Sequence, residues 1–229
     1  MADDPVFLIT GASTGIGAAT ARHAAQAGYR VVLAARSTDK LEALAQELGG
    51  DSRALAVTCD VNEWDQQEAM VAAALDAFDR LDVVYANAGF GAKRGWLEET
   101  PEHWKDMVLT NVLGAALTAR AAIPALTEST GHLLFTGSVA GRRVMPGSLY
   151  SCTKWAITAM GEAVRADLDG TGVRVTTIEP GMVDTPFFDS PVDGALEPDD
   201  IARAVLYAVS QPKHVDVNEI LVRPVAQTP

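Results

Sequence analysis

The chain begins with a strand-like run, a glycine-rich turn and a helical pattern, and this order restricts the possible folds more than any other feature. Val6–Thr10 is almost wholly apolar, as expected of a parallel strand covered on both faces. Residues 11–17 follow with the spacing G-x-x-x-G-x-G, and residues 18–26 are rich in helix-forming alanine, with Gly28 as a stop. Glycines let a backbone approach a pyrophosphate, and a helix N-terminus attracts anions. The segment predicts a dinucleotide-binding turn, although tight turns also need glycine for structural reasons.

Strand-like and helix-like segments alternate along the rest of the chain. Strand patterns follow at residues 29–35, Ala54–Thr58, 81–86, His132–Thr136, 173–178 and Glu219–Val222. Helical patterns lie between them at residues 38–48, 62–78, 101–126, 150–169 and 198–210. This alternation predicts an α/β fold, a single Rossmann-type domain over residues 1–229 with a doubly wound parallel sheet of about seven strands and helices on both faces. Residues 182–196 are predicted to form a short substrate lid.

Composition narrows the possible partners and the location. The formal net charge is −12, which argues against nucleic acid or an anionic membrane as a partner. No unbroken apolar run approaches the roughly 18–20 residues of a membrane helix, and the acidic N-terminus does not resemble a secretory signal, so a cytoplasmic protein is predicted. Cys59 and Cys152 stand far apart without metal-ligand spacing, so we expect reduced thiols and no metal site, with Cys152 as a small buried residue.

The end of the second predicted strand bears on cofactor preference. NAD-binding folds usually place an acidic residue there to hold the adenosine ribose, but this chain has Ala35 followed by Arg36. A guanidinium can bind a 2′-phosphate through paired hydrogen bonds, whereas an acid would repel it. The sequence therefore predicts NADP(H), with Ser13, Thr14 or Ser37 as additional hydrogen-bond donors. The alternative is that Arg36 is a solvated loop charge.

Tyr150 and Lys154 lie four residues apart in a predicted helix and therefore share one face. A nearby ammonium favours the phenolate and would bring the tyrosine pKa toward neutrality, which suits a general acid or base. A tyrosine and a lysine at this spacing are also a common surface pair. Ser138, twelve residues before Tyr150, and the glycine-rich turn are the features that favour a catalytic role.

Two further polar residues have alternative interpretations. Asn111 lies inside a helical pattern where asparagine is locally unfavourable, so it is either a satisfied core residue or a functional one. Asp60 either caps the helix that follows it or accepts a hydrogen bond from an adenine amine.

Taken together, these motifs resemble the short-chain dehydrogenase/reductase family over essentially the whole chain. Their order and spacing agree, including the twelve residues between serine and tyrosine. The matching elements are residues 10–17, Asp60, Asn87-Ala88-Gly89, Asn111, Ser138, Tyr150 with Lys154, and Pro180-Gly181 with Thr185.

The resemblance implies roles for these positions. Ser138 would orient the substrate carbonyl or hydroxyl, Tyr150 would be the general acid or base, Lys154 would hold the nicotinamide ribose, and Asn111 would hold a water behind Lys154. The implied cofactor-binding residues are Gly11, Ser13, Thr14, Gly15, Ile16, Gly17, Arg36, Ser37, Asp60, Val61, Asn87, Ala88, Gly89, Tyr150, Lys154, Pro180, Gly181, Val183 and Thr185.

The resemblance also bears on substrate and assembly. Residues 211–224 are similar to a subgroup containing NADP-dependent 3-hydroxy acid and serine-type dehydrogenases and small-aldehyde reductases, so a small carbonyl or hydroxy compound is the expected substrate. Arg142 and Arg143 are either partners for a substrate carboxylate or surface and interface charges.

The family implies a homo-oligomer, dimer or tetramer, paired through the helices at residues 103–126 and 150–169. Candidate pocket walls, each equally able to be core, are Phe90, Trp96, Val144, Met145, Met182, Phe187 and Phe188.

Two alternative functions use the same fold. One is an NAD-linked catabolic alcohol dehydrogenase, which would follow if Arg36 is not a cofactor ligand. The other is a non-catalytic NADP(H)-binding regulator, which the complete set of Asn111, Ser138, Tyr150 and Lys154 disfavours.

Overall fold

The computed structural model describes residues 4–188 and 192–227, which build one seven-stranded parallel sheet in the order β3-β2-β1-β4-β5-β6-β7. The strands are β1 (Val6–Thr10), β2 (Arg30–Ala35), β3 (Ala54–Thr58), β4 (Val83–Ala86), β5 (His132–Thr136), β6 (Arg174–Pro180) and β7 (Glu219–Val222). The α-helices are α1 (Gly15–Gln26), α2 (Thr38–Glu47), α3 (Trp64–Phe78), α4 (Pro101–Val108), α5 (Ala115–Ser129), α6 (Leu149–Asp167) and α7 (Pro198–Val209). The predicted doubly wound α/β fold is confirmed.

The alternating side chains of β1 point into two separate cores. Val6 and Leu8 are fully buried in the core under α3, α5 and α6, whereas Phe7 and Ile9 are fully buried in the core under α1, α2 and α7. Each such side chain contributes about 1.5–3 kcal/mol by leaving water. Because both faces of the strand are covered, the sequence is apolar at every position instead of alternating.

The strand order reverses between β1 and β4, and this reversal places the site. From β1 the chain runs outward through β2 and β3, then returns to add β4 on the other side of β1. The two halves wind away from each other, which opens a crevice at the carboxyl ends of the central strands.

The helical stretch predicted at residues 101–126 is not a single regular α-helix. Thr100 caps its start, where its Oγ1 accepts a hydrogen bond from the backbone N–H of His103 at 3.1 Å. Between α4 and α5, Leu109–Gly114 forms a π-helical segment that contains Asn111. The side chains of Gln67 and Thr118 donate to the Gly114 carbonyl at 3.2 and 2.9 Å, which satisfies an acceptor released by the wider turn.

The same stretch is relevant to the expectation that no segment is apolar enough for a membrane helix. Pro101–Ser129 is long and apolar enough to cross a membrane by length and composition alone, with a mean hydropathy of 1.3 in its most apolar window. The sequence showed no unbroken apolar run here because polar residues interrupt this stretch. In the fold one side of it packs against α3, β4, β5 and α6, and 39% of that window is buried.

The two cysteines differ in environment. Cys152 on α6 is exposed, so the expectation of a small buried residue is wrong there. Cys59, just after β3, is buried, and burial raises its pKa to about 11.

The predicted lid at residues 182–196 includes residues 189–191, which lie outside the described residues. Its two ends are joined by an isolated parallel bridge between Val183 and Leu196. The backbone N–H of Asp184 donates to the Leu196 carbonyl at 2.7 Å, and the Leu196 N–H donates to the Met182 carbonyl at 2.9 Å. The base of the segment is therefore held by main-chain hydrogen bonds.

Candidate active site

A cleft of about 340 Å³ opens at the carboxyl ends of the central strands, where the strand order reverses. Two residues predicted for the site, Gly17 and Asn111, are not among those that line it. The other predicted positions all line it: Gly11, Ser13, Thr14, Gly15, Ile16, Arg36, Ser37, Asp60, Val61, Asn87, Ala88, Gly89, Ser138, Tyr150, Lys154, Pro180, Gly181, Val183 and Thr185.

The glycine-rich turn forms one end of the cleft because its glycines permit a backbone that other residues resist. Gly11 and Gly15 have φ of +66° and +54°, in the left-handed region. A side chain at Gly11 would lie 2.9 Å from the Cα of Ala88 on the neighbouring strand end. Gly17 packs inward, where a Cβ would overlap the Gly11 carbonyl oxygen, so it supports the turn from behind.

Asn87 joins the ends of three strands beside this turn. Its Nδ2 donates to the Thr10 carbonyl at 3.0 Å, and its backbone N–H donates to Thr10 Oγ1 at 3.0 Å. Thr136, at the end of β5, donates from Oγ1 to Asn87 Oδ1 at 3.0 Å. Asn87 therefore fixes the spacing of β1, β4 and β5 at the floor of the cleft.

The far end of the cleft is polar. Arg36 and Ser37 line it immediately after β2, and both are exposed. Asp60 does not cap α3, since Glu63 holds that position. Its Oδ1 instead accepts from the backbone N–H of Asn62 at 3.0 Å, in a local Asx turn. The capping interpretation of Asp60 is wrong, and the residue lines the cleft.

Ser138 is held by the short 3₁₀ turn that follows β5. It caps Val139–Gly141, accepting from the Ala140 backbone N–H at 3.1 Å, and its Oγ lies 3.4 Å from the Pro180 carbonyl. The Ser138 hydroxyl also lies close enough to the Tyr150 phenol to act on its pKa, which it lowers against the larger effect of burial. The two side chains therefore meet at one point in the cleft, although twelve residues separate them in the chain.

Tyr150 and Lys154 share one face of α6, as their spacing predicts. The Lys154 Nζ lies 5.6 Å from the centre of the Tyr150 ring and donates to the Thr136 carbonyl at 2.7 Å. The expected lowering of the tyrosine pKa is not observed. Burial raises the pKa of Tyr150 to about 12, against the opposing hydrogen bond from Ser138. Burial also lowers the pKa of Lys154 to about 8, so the lysine is itself destabilised as a cation.

Asn111 lies behind the cleft wall and hydrogen-bonds a residue that lines the cleft. It is 2% exposed, and its Oδ1 accepts from the Phe90 backbone N–H at 3.0 Å while its Nδ2 donates to the Phe90 carbonyl at 2.9 Å and to Thr153 Oγ1 at 3.2 Å. A Cβ at Gly89 would lie 3.0 Å from Asn111 Oδ1 and 3.9 Å from Lys154 Nζ. Asn111 thus holds the backbone after β4 beside Lys154. A bound water at Asn111 remains a prediction.

Comparison with known proteins places the chain in a family. A family model described as short chain dehydrogenase matches residues 5–194. This chain belongs to the short-chain dehydrogenase family. An uncharacterized oxidoreductase of Staphylococcus aureus is 41% identical over 227 residues, covering 97% of this chain and 98% of the relative. The family resemblance inferred from the motifs is therefore confirmed.

Solved structures agree with this assignment. An alcohol dehydrogenase from Thermococcus sibiricus, complexed with 5-hydroxy-NADP, is 36% identical with a TM-score of 0.90 and 98% coverage of both chains. Serine dehydrogenase from Escherichia coli is 31% identical with a TM-score of 0.88, covering 98% of this chain and 100% of that one. Other similar structures hold NADH or NAD. The chain is an oxidoreductase of this family with an NAD(P)-binding fold.

One side of the cleft in this short-chain dehydrogenase has an aromatic wall. Phe90, Phe187 and Phe188 line the cleft, and the Phe187 ring packs edge-on against Tyr150 and against Phe188, with centroids 5.5 and 5.2 Å apart. A side chain at Gly91 would lie 2.6 Å from Phe187 Cζ, so glycine there makes room for the ring. The other predicted wall residues, Trp96, Val144, Met145 and Met182, do not line the cleft.

Arg142 points away from the cleft in this short-chain dehydrogenase. Its guanidinium lies 2.9 Å from a Glu219 carboxylate oxygen and 3.4 Å from Glu179 Oε2. Arg143 is exposed and does not line the cleft either. In this structure neither arginine is placed to meet a substrate carboxylate, and Arg142 instead ties the turn after Ser138 to β6 and β7.

Glu179 is a fully buried acid that sequence reasoning treated only as the end of a strand. Its Oε1 accepts from Thr158 Oγ1 at 3.0 Å, and a Cβ at Gly137 would lie 3.0 Å from its Cγ. Among the described residues its Oε2 makes no hydrogen bond, and the Arg142 guanidinium lies 3.4 Å from it. Burial, with the nearby Glu219 carboxylate, raises the pKa of Glu179 to about 7 against the opposing effects of Thr158 and Arg142.

This raised pKa predicts a pH-dependent stability. The folded chain binds the Glu179 proton more tightly than the unfolded chain, so the stabilisation is complete below about pH 4.5 and lost as pH rises to about 7. Between pH 5 and pH 7.5 the natural chain should lose about 2 kcal/mol of unfolding free energy relative to Glu179→Gln, whose amide does not ionise. Urea unfolding of both proteins at the two pH values, at equal concentration, measures this difference. Parallel pH dependences would contradict it.

Several lining residues were missed from the sequence. Thr136 is the most important of them, because its hydroxyl donates a hydrogen bond to Asn87 and its carbonyl accepts one from Lys154. Its position at the carboxyl end of a predicted strand was the available signal. The remaining missed residues, for which no motif was available, are Ala35, Cys59, Thr110, Gly137 and Pro186.

Proposed function

We propose that this chain is an NADP(H)-dependent oxidoreductase that interconverts a small ketone or aldehyde and its alcohol, with Tyr150 as the general acid or base. The observation that carries the proposal is the meeting of the Ser138 and Tyr150 hydroxyls in the cleft, with Lys154 on the same face of α6. Two hydroxyl groups converging at one point are suited to hold a single substrate oxygen.

The cleft fits a dinucleotide. The turn at Gly11 and Gly15 leaves open backbone beside the N-terminus of α1, where a pyrophosphate is favoured. Arg36 and Ser37 stand at the opposite end, and the position directly after β2 holds Arg36 instead of an acid that would repel a 2′-phosphate. We therefore propose NADP(H) over NAD(H), with Asp60 and Val61 near the adenine and Pro180, Gly181, Val183 and Thr185 near the nicotinamide. When bound, the cofactor supplies or accepts the hydride.

The side chains of the protein then orient the substrate and transfer one proton. The Ala140 N–H donates to Ser138 Oγ, which fixes the position of that hydroxyl in the cleft. With a pKa of about 12, Tyr150 keeps its proton at neutral pH and can donate it to the oxygen as negative charge develops there. Thr136 fixes Lys154 through its carbonyl.

The lining of the cleft favours neutral substrates. Among its described residues, charge is carried by Arg36, Asp60 and Lys154, all of which we assign to the cofactor. Around the two hydroxyls the wall is aromatic, and an anion placed there would be desolvated without a partner. The 3-hydroxy acid considered from the sequence thus lacks its expected arginine, and we propose neutral carbonyl compounds instead.

Two measurements test the proposal. Fluorescence titration of the pure protein should show tighter binding of NADPH than of NADH. With NADPH, a neutral 3-keto ester should be reduced with kcat/KM at least about tenfold higher than the matching 3-keto acid. The control Arg143→Gln should leave that ratio unchanged, because Arg143 does not line the cleft. If the natural chain preferred the 3-keto acid and Arg143→Gln lost that preference, the assignment of neutral substrates would be contradicted. Preference for NADH would favour the NAD-linked dehydrogenase.

The homo-oligomer and the cytoplasmic location stay predictions. Val108, Leu113 and Trp155 are large apolar residues about 40% exposed on the α4–α5 stretch and on α6. They support pairing of these helices between subunits. Sedimentation as a monomer at micromolar concentration would argue against it.

A further inference from the structure

The C-terminal turn of the chain packs against one wall of the active-site cleft. Gly181 and Val183 line that wall, and Met182 between them does not. The backbone N–H of Met182 donates to Gln227 Oε1 at 2.9 Å. Gln227 is itself positioned by a turn, in which its N–H donates to the Pro224 carbonyl at 3.0 Å. A side chain near the end of the sequence therefore holds a main-chain group between two cleft-lining residues.

The packing at this contact is close. A Cβ at Gly181 would overlap Gln227 Oε1 and would lie 3.0 Å from Pro224 Cδ and 3.1 Å from the Arg223 Cα. Glycine at 181 thus lets the C-terminal turn lie directly on the back of the cleft wall. Pro224 is buried in this contact, whereas the neighbouring Val225 is fully exposed.

The rest of the wall is held by main-chain hydrogen bonds. Gly181 N–H donates to the Val222 carbonyl at 2.7 Å, and the Met182 carbonyl accepts from the Leu196 N–H at 2.9 Å. The preceding Pro180 carbonyl lies 3.4 Å from Ser138 Oγ. A shift of the Met182 peptide would therefore move the wall next to the serine.

We propose that Gln227 is a positioning residue for the nicotinamide end of the cleft, acting through the Met182 N–H on Gly181 and Val183. The residue lies beyond residues 5–194, which the family model matches, so the assignment comes from the contacts of this chain. The proposal rests on the proposed function, because that function puts the nicotinamide at this wall.

Gln227→Ala removes the acceptor and leaves the Met182 N–H without its partner. We expect NADPH to bind about 5- to 20-fold more weakly, because such an unmade hydrogen bond lets the wall relax. Binding of 2′,5′-ADP, which lacks the nicotinamide, should stay within about twofold, since it reaches only the opposite end of the cleft. Fluorescence titration and calorimetry with these two probes measure the difference, which a general loss of folding would not produce.

Two further variants complete the test. Gln227→Glu keeps an acceptor oxygen and should bind NADPH within about threefold of the natural chain at neutral pH. Val225→Ala, in the same turn with a fully exposed side chain, should change neither affinity. Equal weakening of both probes, or unchanged NADPH binding, in Gln227→Ala would overturn the positioning role alone. A natural chain that binds neither probe would overturn the proposed function and this inference together.

Discussion

We expect that replacing Tyr150 with phenylalanine lowers kcat about 10³-fold and leaves the affinity for NADPH within about twofold. The variant removes one hydroxyl and keeps the ring that packs on Phe187, so the wall of the cleft is retained. What is lost is the proton donor that lies beside the Ser138 hydroxyl. Steady-state reduction of a neutral ketone and fluorescence titration of NADPH give the two values separately.

The control for this result is Tyr207→Phe, which removes an exposed hydroxyl on α7, outside the cleft. It should leave both kcat and NADPH affinity unchanged. Turnover retained in Tyr150→Phe would show that another group donates the proton. Binding of NADPH without turnover in the natural chain, over a broad panel of carbonyl compounds, would favour the non-catalytic regulator.

We expect that replacing Arg36 with leucine raises the Kd for NADPH about 100-fold and changes the Kd for NADH less than about threefold. A guanidinium that binds a 2′-phosphate makes charge-assisted hydrogen bonds, and NADH has no such group to lose. Arg36 is exposed at the edge of the cleft, so its removal should not disturb the core. Titration of both cofactors at one fixed ionic strength measures the effect, because salt screens such contacts.

Lys40→Leu is the matched control for the Arg36 variant. Lys40 is an exposed cation on α2, four residues further along, and does not line the cleft. It removes the same charge from the neighbourhood and should weaken NADPH less than about threefold. If the two variants weakened NADPH equally, general electrostatic attraction would explain the preference. If neither did, Arg36 would be the solvated loop charge considered from the sequence.

Local pattern was sufficient for most of the fold. The bounds of β1, β3, β5 and β7 match the strand patterns, because each is a short apolar run closed by turn residues. The helix at residues 101–126 was less well predicted. At the end of its π-helical segment the Gly114 carbonyl accepts a hydrogen bond from Gln67, which reaches it from a different helix, and the local pattern does not show this contact.

Among the charged residues, the position of Arg36 could be predicted from the sequence and that of Arg142 could not. Arg36 is interpretable from its place after a strand, and it lies at the cleft as predicted. Arg142 has an equally plausible place after Ser138, yet it turns away because Glu179 and Glu219 lie behind it. Those acids are 37 and 77 residues further along the chain, so only folding brings them to the arginine.

The sequence by itself determined the parallel α/β sheet, the glycine turn and the shared face of Tyr150 and Lys154, because periodicity and spacing encode features within one element or between neighbouring strands. The family resemblance implied that Ser138 joins this pair. The tertiary structure decided which groups control those side chains. Burial raises the tyrosine pKa instead of lowering it, and Gln227 reaches the cleft wall from the other end of the chain. Such effects depend on desolvation and on contacts between distant segments, which exist only after the chain has packed.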